Sequence, residues 1–134
     1  MADYPDGAQL VSVAVTVNNV PVPVTPSVET AVGIVNRYTG VDTGYQVLCQ
    51  WTVTAARTGQ LAEVSMTVDN FDKAVWSLTV GAEVIMLGDI IQNALTLPFA
   101  DVSLSAGTDV ILSVKSSDGT AIVADGSISG KEIG

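Results

Sequence analysis

Histidine is absent from this 134-residue chain, and cysteine occurs once. Without an imidazole there is no Ser-His-Asp catalysis. Cys49 likewise has no base beside it to make a thiolate nucleophile. It stands between Val47 and Trp51, where a free thiol reads as a small core hydrophobe. A single cysteine cannot close an internal disulfide, so stability has to come from packing. Cations are scarce: five Lys and Arg face fourteen Asp and Glu, a net charge of −9. Nucleic acids need clustered cations to displace counterions, and anionic membranes select for them too, so neither is an expected partner. No run of apolar residues is long enough for a membrane-spanning helix. The start, MADYPDGAQL, has neither a basic n-region nor an apolar h-region. A chain assembled in the cytoplasm, or one trimmed of its leader, is expected. Gly81, Gly88 and Gly107 compose no phosphate loop, because no Lys-Ser/Thr and no helix follow them.

What the chain does have is alternation. From residue 9 to residue 130 one short stretch of period two follows another, separated by turn residues every 8–12 positions or so. Val11, Val13, Val15 and Val17 make a first strand. Pro21, Pro23 and Pro26 make an extended edge or crossing segment, since proline cannot donate to a ladder. Further strands are expected at 28–37, 45–56, 62–68, 74–80, 83–87, 109–116 and 121–129. Residues 89–93 read as one more strand or as a single helical turn, and 94–100 is apolar but interrupted by Pro98. In the 45–56 strand, Tyr45, Val47, Cys49, Trp51, Val53 and Ala55 are expected inward, with Leu48 the exception left on the outer face. Arg57-Thr58-Gly59-Gln60 and Ser117-Asp118-Gly119-Thr120 are expected to close hairpins. The sum is an all-β antiparallel β-sandwich of about nine or ten strands. It forms one domain over residues 9–134, preceded by a flexible arm at residues 1–8.

The candidate chemistry is thin. Asp69-Asn70-Phe71-Asp72 has oxygen ligands but not the spacing of a calcium loop, and an acidic turn is expected instead. Asp118 and Asp125 each precede a glycine, which is turn chemistry first. A structural cation on an axis between copies stays open. No two acids are marked as a glycosidase pair. Trp51 and Trp76 fall on inward faces, so core packing is expected rather than sugar stacking. No catalytic residue, cofactor site or metal site is expected, and the chain is not expected to be an enzyme. Its composition is 48% hydrophobic against 14% charged. One copy would leave part of that apolar surface in water, so a subunit interface is expected.

Three segments carry a resemblance. Thr43-Gly44-Tyr45-Gln46-Val47 resembles the Gly-x-Tyr-x-Val entry to a central strand in the tumour-necrosis-factor and complement-head jelly rolls. Leu104-Ser105-Ala106-Gly107-Thr108-Asp109-Val110 resembles their Leu-x-x-Gly-Asp-x-Val strand start, with Thr108 inserted. Ser127-Ile128-Ser129-Gly130 resembles their terminal Ser-Phe-x-Gly strand, with Ile for Phe. The resemblance implies a TNF-like jelly roll and a homotrimer. Similar modules serve bacteriophages as head-decoration and head-fibre proteins, so the implied role is a structural virion protein. It would bind and stabilise the outside of a capsid, with the major capsid protein or another virion protein as partner. The implied location is the virion, after assembly in the host cytoplasm. The alternative is a receptor- or carbohydrate-binding fibre tip that uses loops at 39–43, 69–72 and 116–120. Leu48, Tyr38, Phe71 and Phe99 have no obvious place in one copy's core and are the expected trimer-interface residues. Tyr4, Pro5 and Asp6 are the expected capsid-contact arm.

Overall fold

The computed structural model describes residues 28–134, so the arm at residues 1–8, including Tyr4, Pro5 and Asp6, lies outside the described residues. So do the Val11–Val17 alternation and the Pro21, Pro23 and Pro26 segment. Eight strands follow: β1 Glu29–Gly40, β2 Gln46–Thr52, β3 Thr58–Val68, β4 Ala74–Val80, β5 Glu83–Asp89, β6 Leu95–Leu104, β7 Asp109–Ser116 and β8 Ile122–Ile133. They form two four-stranded antiparallel sheets with orders β1-β8-β3-β6 and β2-β7-β4-β5. The chain is an all-β sandwich. The edge strands β1 and β2 lie against each other at one flank, and β5 and β6 are the edges at the other.

The core lies where the inward positions of both sheets meet. Val110, Leu112 and Val114 of β7, with Trp76 and Leu78 of β4, come from one sheet. Val64, Met66, Ile122, Ala124 and Ile128 come from the other. These follow the sequence alternation, because a strand with one wet face and one dry face needs period two. The 94–100 stretch becomes β6, an edge strand, the place in a sheet where proline is tolerated. Residues 89–93 form neither a further strand nor a helix beyond the end of β5 at Asp89, although Ile91 plugs the core.

Two expectations fail at β-bulges. A bulge between Val47 and Cys49 on β2 inserts one extra residue opposite β7 and inverts the parity before it. Val47 turns outward and Leu48 goes in, 57% and 2% exposed respectively. Tyr45, upstream of the same bulge, also turns outward, toward Gly88 and Lys115. Leu48 is therefore not an outer-face residue but part of the sandwich core. A second bulge, between Leu61 and Glu63, accompanies the burial of Leu61, one position before the strand expected at 62–68.

The two expected hairpins are corrected as well. β2 and β3 belong to different sheets, and so do β7 and β8. Both connections therefore cross the sandwich. Thr58, Gly59 and Gln60 already lie in β3. Gly59 serves close packing there: a Cβ on it would sit 2.7 Å from Val53 Cγ2 and 3.1 Å from the Trp51 ring. Gly126 on β8 does the same for Leu48, whose Cδ2 would stand 2.6 Å from an added Cβ. The two sheets approach closely because one supplies glycines beneath the large side chains of the other.

Candidate functional site

The sequence candidates separate into a buried set and an end-loop set. Cys49 is buried, and desolvation pushes its thiol above the ordinary value, with a backbone hydrogen bond from Asn36 opposing. A neutral buried thiol is filler, as expected. Trp51 and Trp76 are both buried. The Trp51 indole Nε1–H donates to Glu132 Oε2 at 2.9 Å, and the Thr54 backbone N–H donates to the same oxygen at 3.1 Å. Those two donors, the indole first, hold the Glu132 carboxyl below the ordinary glutamate value. Glu132 locks the end of β8 to the loop after β2. The sequence did not single it out, because its partners lie 81 and 78 residues away.

Tyr38, Phe71 and Phe99 are half-buried and pack against the core from β1, the Phe71–Lys73 turn and β6. Each therefore has a place within one copy. The structure does not bring them together with Leu48 on one outer surface.

The loops at 39–43, 69–72 and 116–120 do come together. The Ser116 N–H donates to the Asp42 carbonyl at 2.7 Å, and the Ser117 N–H to the Lys73 carbonyl at 2.8 Å. The Tyr38 hydroxyl donates to Asp42 Oδ2 at 2.6 Å and accepts the Asp42 N–H at 3.1 Å. Lys73 Nζ pairs with Asp118 Oδ2 at 2.8 Å, and Asp118 also accepts the Thr120 N–H and hydroxyl. These bonds, that to Lys73 first, lower the Asp118 carboxyl to about 2. Asp69 Oδ1 accepts the Val123 N–H at 2.9 Å. Asp69 of the expected acidic turn is thus bonded to the backbone of β8. Among the described residues, no group of three or more His, Cys, Asp or Glu is placed to hold a metal ion. Hydrogen bonds and one ion pair tie three loops together at one end of the sandwich.

The outer faces are quieter. A groove of about 240 Å³ runs over the β1-β8-β3-β6 sheet, lined by Val35, Ser65, Thr67, Thr96, Asp125 and Ser127 among others. Arg37 pairs with Asp125 at its margin at 2.7 Å. Across the outer face of the other sheet, Tyr45 reaches from the start of β2 to accept the Gly88 N–H of β5 at 2.9 Å. Lys115 Nζ sits 4.5 Å from the Tyr45 ring centroid. The large apolar side chains left exposed follow a rule. Val28, Val35, Val41 and Val47 lie on or beside β1 and β2, and Val84, Ile85, Leu87, Ile90 and Val102 lie on or beside β5 and β6. Among the described residues, none stands on a central strand. No helix among the described residues is long and apolar enough to cross a membrane. No protein-family model matches this chain, and no curated protein matches it in sequence.

Proposed function

We propose that this chain is a structural protein of a phage-like virion: a jelly-roll homotrimer that binds the outside of a capsid as a decoration or head-fibre protein. The jelly-roll reading is supported by strand order, since among the eight described strands the first pairs with the last, the second with the seventh, and they divide evenly between two sheets. The observation that carries the oligomeric role is the placement of exposed apolar side chains on both flanks of the sandwich. A lone copy would wet them, whereas subunit contacts would cover them. Its activity is then a binding free energy, with contacts to the shell multiplied by linking three copies. The interface residues expected from sequence give way to these flank residues, because Leu48 is filled into the core. Tyr4, Pro5 and Asp6 remain the proposed contact with the shell, and the chain needs no cofactor for this role.

The test is occupancy. The full chain should run as a trimer in native mass spectrometry and load onto particles in hundreds of copies. Deleting residues 1–8 should keep the trimer and reduce occupancy at least tenfold. Undiminished occupancy would remove the arm from the proposal. The convergence of the loops at 39–43, 69–72 and 116–120 favours a second reading, a receptor- or carbohydrate-binding fibre tip. That reading predicts only a few copies per particle, with binding lost on substitutions in those loops.

A further inference from the structure

We infer that residues 10–17 of this chain seat as a further strand on the open edge of β1, antiparallel to it. Such a strand belongs to each copy by itself, which takes the inference beyond the oligomeric reading above. Composition is the first reason. No Asp, Glu, Lys or Arg occurs between Asp6 and Glu29, and that stretch holds eight valines and Leu10. A segment stays solvated when it combines low hydrophobicity with high charge, and this one has the opposite of both. Val11, Val13, Val15 and Val17 share one face of an extended chain, a face that gains free energy only against other apolar groups.

The second reason is the state of the sheet edges. Among the described residues the sandwich has four edge strands. Three carry a device against further pairing: β2 is bulged beside Val47, β5 is bulged twice, and β6 has Pro98 with left-handed backbone at Ala100 and Asp101. β1 carries none of these. It pairs with β8 through all twelve residues, Glu29 to Gly40, without a register shift. Its charged Glu29 and Arg37 are tied back to Lys131 and Asp125 of β8. So regular an edge offers a straight row of N–H and C=O groups to an added strand. The core also thins out there. Ile122, Ala124 and Ile128 of β8 are fully buried, whereas Val32, Ile34 and Tyr38, on the same inward face of β1, are only half-buried. Valines on a strand beside β1 would complete their cover.

The third reason is where the segment joins the fold. It enters at Val28, whose carbonyl accepts the Gly134 N–H at 3.1 Å, immediately before β1. Residues 18–28 make the connection. Extended at about 3.1 Å per residue they reach roughly 34 Å, enough to return the chain alongside β1, and Asn18-Asn19 supplies the reversal. So short a tether keeps the segment at an effective concentration in the millimolar range, which favours the chain's own edge over that of another copy. Eight residues of strand span about 27 Å. With Val17 beside the start of β1, Leu10 therefore lies near Tyr38, and the arm at residues 1–8 leaves the sandwich beside the loops at 39–43, 69–72 and 116–120. The shell-contact residues proposed above then share one end of the molecule with those loops.

Hydrogen exchange and cross-linking of the full chain test this seat. Amides of residues 10–17 should exchange about tenfold or more slowly than an unstructured peptide of the same sequence. Val13→Asp with Val15→Asp should abolish that protection and speed exchange along Val32–Tyr38. Ser12→Asp with Thr16→Asp, on the wet face, should leave both in place. With buried Cys49 kept, Ile34→Cys is combined in turn with Val13→Cys, Val15→Cys and Val17→Cys. At least one pairing should close a disulfide within one chain, read as the mass of a single chain under denaturing, non-reducing conditions. Unprotected residues 10–17, or no disulfide in any of the three pairings, overturn the inference. A disulfide that joins two chains moves the strand to a neighbouring copy and overturns the same-chain seat. A spin label on Ala8→Cys should broaden the amide signals of residues 39–43. Broadening at Glu29 and Ile133 instead would reverse the strand and overturn the exit of the arm. None of these readings depends on the number of copies, so a protein that proves to be a single chain removes the oligomeric reading and leaves this one standing.

Discussion

Leu48 offers a sharp test, because the alternation of residues 45–56 puts it outside and the bulge puts it inside. At 2% exposure it fills the space that Gly126 leaves on the facing sheet, beside Leu112. Removing its isobutyl group deletes buried methylenes and leaves a cavity that the surrounding strands only partly close. Leu→Ala at such a site costs about 3 kcal/mol, within a range of about 2–5. For a domain of this size that is a fall in Tm on the order of 10 °C. The reverse change is Gly126→Ala, whose new Cβ would lie 2.6 Å from Leu48 Cδ2 and 2.7 Å from Leu112 Cδ2. Both of those atoms are packed, so the overpacking costs about 1–3 kcal/mol. The two substitutions should not add. With Leu48 already shortened, the methyl group introduced by Gly126→Ala enters the space the side chain vacated, and the double variant should be more stable than the sum of the singles by about 1 kcal/mol or more. The assay is urea unfolding of all four proteins at one fixed concentration, with the native mass of each recorded alongside. Leu48→Ala should lower the midpoint and leave the number of copies unchanged. A Leu48→Ala protein that loses its assembly while a single copy keeps full stability would refute the core placement and restore Leu48 to an interface.

Two further outcomes follow from the ionisable groups. Asp118 has its folded-state pKa lowered to about 2, so its contribution to stability is fully present above the unfolded aspartate value near 3.8 and disappears as the pH falls toward 2. Asp118→Asn should flatten the Tm profile over that interval, and an unchanged profile would show that the Lys73 and Thr120 bonds do not form in solution. Cys49 should resist a thiol reagent in the native protein at pH 8 and react fully in 6 M guanidinium, because burial raises its pKa and blocks access; fast native labelling would contradict its position.

The sheets were legible in the sequence where a strand has one wet face and one dry face. β7 shows this best: Val110, Leu112 and Val114 are inward in the pattern and in the fold. The pattern fails wherever the backbone breaks period two. At 47–49 and 61–63 a bulge shifts parity by one residue, and nothing in the side chains before it announces the shift. Turn chemistry was legible only in part. Gly119 takes the positive φ expected of an Asp-Gly turn, yet the strands on either side enter different sheets. A local turn fixes a reversal of the chain but not which partner each strand finds. Gly59 read as a turn residue for the same reason, since a glycine required by a neighbouring indole looks identical in sequence to one required by φ. The end loops fared better, because 39–43, 69–72 and 116–120 are named by their polar residues, although their convergence is a property of the topology alone.

β5 was hardest to read for a different reason. Val84, Ile85, Met86 and Leu87 are all apolar, so alternation assigns no face. In the sandwich only Met86 of these is buried, while Ile91 beyond the strand plugs the core. Edge strands commonly carry lysine, proline or charge against unwanted pairing. β6 has Pro98 and left-handed residues at Ala100 and Asp101, and β2 has its bulge. β5 has bulges at Ile85 and Gly88 and an acid at each end. The bulges and the terminal acids both blunt that edge against unwanted pairing. The loss of periodicity that makes β5 illegible goes with those two bulges, each of which adds a residue to the strand and shifts the parity of the side chains beyond it.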